Sequence, residues 1–287
     1  MFASSRSCTL FAFHKLPLHT YLAAVVIFVN VVKGKSALAL SRDLGVQYKT
    51  AMVLAHRIRE AMGAELRGVT LGGEGHTVKV DGCYVGGHVR PENKKADRKD
   101  RRLSANQNGK RRVVAIRERD GRTVMQVFES EAASIGFIKA RIERGTILQA
   151  DEPSAWNPLH ATFETKRISY QEAYSLDDAC TNDAESFFSR LRRAEIGHHH
   201  HISGTYFARY ACEASIREDY RWESNGEQFR RVVTLVTKNG PSAEFCGYWQ
   251  RNRVVPWPPN RYATARRRPT RPRLAGQPAE RSFPPRW

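Results

Sequence analysis

Thr77-Val78-Lys79-Val80-Asp81 and Thr146-Ile147-Leu148-Gln149-Ala150-Asp151 are the two stretches that decide how this chain folds. The first alternates apolar and polar residues as a half-buried strand does, with Gly82, Gly86 and Gly87 read as closing it. The second reads as a short, largely apolar strand. Each ends on an aspartate, and Asp151 follows Asp81 by 70 residues. In an open α/β sheet, side chains at the ends of neighbouring strands converge on one crevice. Two carboxylates brought together there repel each other unless a cation lies between them. Magnesium suits that place, because it takes a few carboxylate oxygens and keeps positions for water and a substrate phosphate.

Between the two strands, Val113 to Glu129 forms two β-rich runs split by Asp120-Gly121, a hairpin pattern. Ala132 to Arg144 carries Ile135, Ile138 and Ile142 at helical spacing, with Gly145 as its stop. After Asp151, Asn182 to Glu195 and Tyr206 to about Arg221 read as helices. Strand, hairpin, helix, strand, helix describes an α/β domain with a mixed sheet. Glu185 follows Asp151 by 34 residues and lies in the first turn of the helix from Asn182. Three acids from two strands and a helix can hold two metal ions about 4 Å apart, the arrangement suited to phosphodiester cleavage. Each acid also has an ordinary reading. Asp81 before Gly82 suits a turn, Asp151-Glu152-Pro153 suits a strand exit, and Asn182-Asp183-Ala184-Glu185 has the pattern of a capping box.

Upstream, apolar residues recur at helical spacing from Ser36 to Met62, interrupted by Gly45. This is the layout of a helix-turn-helix whose second helix, from Gln47, offers Gln47, Tyr48, Lys49, Arg57 and Arg59 to DNA; an ordinary helical hairpin has the same pattern. Tyr21 to Val32 is an apolar run too short to cross a bilayer and without a cleavage site after it, so it reads as a buried helix.

The chain of 287 residues has 47 Lys and Arg against 29 Asp and Glu, a net charge of +18, which favours a polyanionic partner. Residues 88–112 form a basic, almost wholly polar loop with ten Lys or Arg, and residues 251–287 a Pro/Arg-rich tail that cannot hold regular structure. The five cysteines are odd in number, far apart and contain no C-x-x-C pair, which argues against a disulfide framework and a cysteine zinc site and points to a reducing cytoplasm.

Several colinear stretches resemble one family. They are Lys15-Leu16-Pro17-Leu18, Leu40 to Ala51, Val80-Asp81-Gly82-Cys83-Tyr84-Val85-Gly86-Gly87, Ala150-Asp151-Glu152, His160 to Arg167, and Thr181 to Arg193. From about Leu10 to Gln250 the chain resembles ISXO-type insertion-sequence transposases of the DDE group. The resemblance implies a ribonuclease H-like mixed sheet flanked by helices (74–250), preceded by a small all-α helix-turn-helix region (1–70). It implies metal-dependent DNA cleavage and strand transfer with Mg2+ or Mn2+, two ions, held by Asp81, Asp151 and a third residue. Asn182 and Glu185 both stand where the family varies, and Glu185 is favoured because a carboxylate binds magnesium better than an amide. Arg192 or Arg193 would hold the DNA backbone.

The implied partners are double-stranded DNA, both transposon ends and target, and further copies of the chain in a homo-oligomer, with no membrane. The chain departs from the family in lacking paired N-terminal cysteines for a zinc ribbon, which reads as truncation. It departs also in its Pro/Arg tail and in His198 to His201, where DNA contact is favoured over a metal site. The competing function class is a DNA-binding protein without catalysis, either a regulator or an inactive remnant.

Overall fold

A computed structural model describes residues 9–12, 16–86, 110–119, 121–151, 154–168, 182–200, 202–242 and 245, with backbone only at 84–86, 110–112, 151, 154–155, 167–168 and 182–185. Most of the loop expected at 88–112 and the whole tail at 251–287 lie outside the described residues.

The sheet is built from β1 (Thr77–Gly86), β2 (Lys110–Glu118), β3 (Thr123–Phe128), β4 (Ile147–Asp151) and β5 (Glu164–Ile168), in the order β3-β2-β1-β4-β5. β1, β2 and β3 run antiparallel to their neighbours as a meander, while β4 joins β1, and β5 joins β4, in parallel. This is the mixed sheet expected. β1 nevertheless runs past Gly82 to Gly86, because its second half pairs with the start of β2, Gly86 opposite Lys110 and Tyr84 opposite Arg112. Gly82 therefore lies inside a strand, and residues 110–112 of the expected basic loop belong to the ladder.

Alternation sorts the two faces. Val78, Val80, Val114, Ile116, Leu148 and Ala150 share one apolar core with Phe137 and Ile138 of α4 (Ile135–Arg141). Cys83, Val113, Ala115 and Met125 face the other way, against Phe187 and Leu191 of α5 (Asn182–Ala194) and Phe207 and Ala211 of α6 (Phe207–Asp219). α4 ends sooner than the isoleucine spacing predicts: Ile142 takes an extended backbone and bridges to Leu71, and Gly145 then turns at φ +82°.

The N-terminal helices are α1 (Leu18–Val29), α2 (Ala37–Leu44) and α3 (Tyr48–Glu65). The Ser36 hydroxyl accepts the Ala39 N–H to start α2, and Gly45 ends it at φ +62°, a left-handed turn that glycine takes without steric cost. These helices do not bury their apolar residues alone. Phe28, Leu54 and Ile58 share a core with Ile216 of α6 and with Val232 and Val236 of α7 (Asn225–Lys238), a helix opened by the Ser224/Glu227 capping box. Residues 16–66 and the last helices are thus one packed body.

α6 ties this helical layer to the sheet. On one side Glu213 accepts from Arg59 Nε of α3 at 2.6 Å, and Arg209 donates to the His56 carbonyl at 2.8 Å. On the other, Glu218 pairs with Arg117 of β2 at 3.1 Å, and Asp219 accepts the Thr123 N–H of β3 at 2.8 Å. His56 stacks on Phe245 and lies tilted against Tyr206 at this junction, and burial, with Arg59 and Arg209 nearby, lowers its pKa to about 2. The imidazole is therefore neutral when folded and charged when unfolded below its ordinary pKa near 6.5. Its contribution is whole above pH 6.5 and is lost as pH falls, at about 1.4 kcal/mol per pH unit. Between pH 7 and pH 5 the parent should lose about 2 kcal/mol more stability to urea than His56→Phe does; an equal change in both would contradict this account of the junction.

Candidate active site

Thr77 pairs with Ile147, Val78 with Leu148, Lys79 with Gln149 and Val80 with Ala150 along the parallel β1–β4 ladder. The next step of that register brings the Asp81 and Asp151 positions side by side, Asp151 at the carboxyl end of β4 and Asp81 in the middle of β1, which was expected to end there but is carried on by its pairing with β2. Asp81 is half-buried, and its Oδ1 accepts the Gly82 N–H at 2.6 Å. By strand alternation Asp81 lies on the face that carries Cys83, the face covered by α5 and α6.

An open cleft of about 490 Å³ lies between Asp81 and α5. Asp81, Gly82 and Cys83 form one wall, and Ser186, Phe188, Ser189 and Arg192 the other. Asn182 and Glu185 occupy the first turn of α5, on the backbone directly before Ser186. Arg192, rather than Arg193, lines the cleft, and it hydrogen-bonds the Cys83 side chain. Burial pushes the Cys83 thiol up to about 12 against the opposing pull of Arg192, so the sulfur stays protonated at neutral pH. Ser186 and Ser189 were not singled out by the sequence reading; their spacing on α5 is the signal that places them on one face.

Among the described side chains no three His, Cys, Asp or Glu form a metal-binding group; those of Asp151, Asn182 and Glu185 lie outside that set. The oxygen donors that border the cleft are the Asp81 carboxylate and the Ser186 and Ser189 hydroxyls, which suit a hard divalent cation, while the protonated Cys83 thiol beside them is a poor ligand.

The sequence of residues 70–219, just over half of the chain, matches the model of the ISXO2-like transposase domain. This chain belongs to that family. The strand order and the helices on both faces of the transposase give it the ribonuclease H-like fold. No curated protein matches it in sequence. Among solved structures it is similar to the Mos1 strand transfer complex at 13% identity over 80% of this chain and 82% of that one, with a TM-score of 0.31. It is also similar to the Mos1 transposase paired-end complex with left transposon end, at 14% identity over 78% of each chain and a TM-score of 0.30. Likeness of that degree assigns no residue.

Gln47, Tyr48 and Lys49 are exposed at the start of α3. Arg57 and Arg59 do not join them. Arg57 is buried, its Nη1 donating to the carbonyls of Leu10 at 2.6 Å and Ala12 at 2.7 Å, and Arg59 is wholly buried against Glu213 and the Tyr210 ring. Both were expected at the DNA surface; the correction is that α3 is covered over its later turns by α6, α7 and the N-terminal segment. Lys49→Ala should therefore weaken duplex binding and lower the dependence of log affinity on log salt by about one unit of slope. Arg57→Ala should leave that slope alone and cost about 1.5–3 kcal/mol of stability through lost charged hydrogen bonds. Salt titrations with melting curves separate the two outcomes.

His198 and His200 are exposed on the π-helical turn Glu195–His199 and the residue after it, and His201 lies outside the described residues. His199 packs edge-on against Tyr210 at 4.7 Å. No helix among the described residues is long and apolar enough to cross a membrane.

Proposed function

We propose that this transposase binds the ends of an insertion sequence and catalyses metal-dependent DNA strand cleavage and strand transfer. Asp81, Asp151 and Glu185 hold the divalent cations, Asn182 being the alternative third ligand, and Arg192 holds the DNA backbone. The observation that supports this reading is the in-register parallel pairing of Val80 with Ala150, one step before the two aspartate positions, beside a cleft bordered by Asp81, Ser186, Ser189 and Arg192. Mg2+ or Mn2+, as a pair of ions, would supply Lewis-acid stabilisation of the charge on the attacking and leaving oxygens.

The residues of the chain divide the remaining work. Arg192 draws a phosphate into the cleft and fixes it beside Asp81. Asp81, held by the Gly82 N–H, needs no reorganisation as charge develops. In cleavage a water oxygen bonds to phosphorus, the bond to the 3′ oxygen breaks, and that oxygen takes up a proton. In transfer the freed 3′-hydroxyl attacks a target phosphate in the same way, so one site serves both steps. Gln47, Tyr48 and Lys49 grip double-stranded DNA outside the cleft, and a homo-oligomer pairs two ends.

The test incubates purified protein with labelled end DNA, a plasmid target and Mg2+ or Mn2+. Joined product that disappears with EDTA supports the reading. Tight, salt-sensitive binding with neither nicks nor joints would make the chain a DNA-binding protein without catalysis.

A further inference from the structure

A second cavity, of about 150 Å³, lies across α5 from the Asp81 cleft. Ser186, Ser189 and Arg192 face the cleft, whereas Phe187, Leu191 and Ala194 line the cavity. At 3.6 residues per turn these sets fall on opposite sides of the helix, so α5 is a wall about 10 Å thick between the two spaces. Tyr210 and Ala214 of α6 form the far side, and the lining is overwhelmingly apolar.

The mouth is cationic. Glu218 at the mouth is shared by Arg190 at 2.8 Å and Arg221 at 2.7 Å, two positive charges on one negative. Lys33 stands exposed beside them, and the Glu213 carboxylate at the cavity wall is already shared by Arg59 and Arg217. An apolar chamber behind a positive rim fits a flat ring carried on an anionic backbone. A cavity of this volume lined by apolar side chains holds a single benzene-sized ring. Phe187 and Tyr210 offer aromatic surface for stacking.

We propose that this cavity receives one unstacked pyrimidine base of DNA, with its flanking phosphates on Lys33, Arg190 and Arg221. The inference rests on the transposase reading and deepens it, placing a base of the bound DNA on the side of α5 away from Asp81. His199, which burial lowers to about 4, is neutral at physiological pH and offers one donor and one acceptor to the edge of the base. Drawing a base from the stack is least costly where it is already unpaired.

Fluorescence anisotropy of the full chain with four duplexes tests this: one fully paired, and three carrying a single bulged thymine, a bulged adenine or a bulged abasic site. Thymine should bind more tightly than the abasic bulge on the order of tenfold, and adenine should gain less. Ala214→Phe and Ala194→Phe fill the cavity from two different helices, and each should bring the thymine-to-abasic ratio to one. The ratio is internal to each variant, so a general loss of affinity cancels, and failure of one variant to fold leaves the other.

A wild-type ratio of one with the paired duplex still bound would overturn the cavity while sparing the transposase reading. A ratio that survives in a folded variant would place the base elsewhere, and an equal gain for adenine would overturn the one-ring assignment. Loss of binding to every duplex would overturn both readings.

Discussion

Asp81→Ala lowers metal-dependent nicking and joining by at least about a thousandfold, while affinity for duplex DNA measured in EDTA stays close to that of the unaltered chain. The two halves of this expectation come from different parts of the molecule. Asp81 lies within β1, next in register to Asp151 and on the wall of the cleft. The groups proposed to grip the duplex, Gln47 to Lys49, are exposed at the start of α3, a helix whose buried face packs with α1, α6 and α7. Removing the carboxylate takes a ligand from the cations and leaves the basic surface whole. Asp81→Asn should fall nearly as far, since an amide keeps the shape and gives up the charge. Nicking of a labelled duplex, quantified on denaturing gels, reads the loss. Residual cleavage within tenfold of the parent would mean that the chemistry lies elsewhere.

Glu213→Ala should destabilise the fold by about 3–5 kcal/mol, a fall in Tm on the order of 10 °C. Glu213 is buried on α6 with its two oxygens divided between Arg59 at 2.6 Å and Arg217 at 2.8 Å. Arg59 is fully buried, lies 3.8 Å from the centre of the Tyr210 ring, and spends one further donor on the Lys35 carbonyl. With Glu213 gone, that guanidinium is left as an uncompensated charge in the core, which is the larger part of the cost. Burial by itself would raise the Glu213 pKa, but the two arginines outweigh it and hold the carboxyl below its ordinary value. The sign follows: the pair contributes its full stability above the unfolded carboxylate range and loses it as pH falls through the folded value. Arg59→Met/Glu213→Leu, which removes both charges, should recover much of the loss, and equal destabilisation in the single and double variants would contradict the charge argument.

The elements legible in the sequence were those set by local pattern. Val80-Asp81, Ala150-Asp151 and the helix from Asn182 show their own periods, and Ser36 and Gly45 mark the two ends of α2 by capping chemistry. What the pattern missed depends on distant partners. β1 continues through Gly82 because Lys110 to Arg112 complete its ladder, a pairing invisible in a run of glycines and a run of charges. β5, Glu164 to Ile168, has only one apolar end and owes its form to the neighbouring β4. α7 carried a readable signal in Ser224-x-x-Glu227 that the reading passed over.

Arg57 and Arg59 look from the sequence like two more cations on a DNA-binding helix. Leu10, Ala12 and Glu213, which hold them inside, lie 45 to 154 residues away. At the site, the strand patterns ending on Asp81 and Asp151 and the family resemblance proposed the two aspartates, and the register of β1 on β4 sets their positions adjacent. It also took the packed fold to separate Arg192, which lines the cleft, from Arg193, which does not.

The claim beneath all of this is that Asp81 and Asp151 serve one divalent site. Titration of Mn2+ followed by electron paramagnetic resonance, on the full chain and on Asp81→Ala, Asp151→Ala and the double variant, tests it most directly. A shared site predicts that either single substitution removes the bound ions and that the double variant loses nothing further. Independent, additive losses from the two substitutions, or Mn2+ binding unchanged in both, would contradict it.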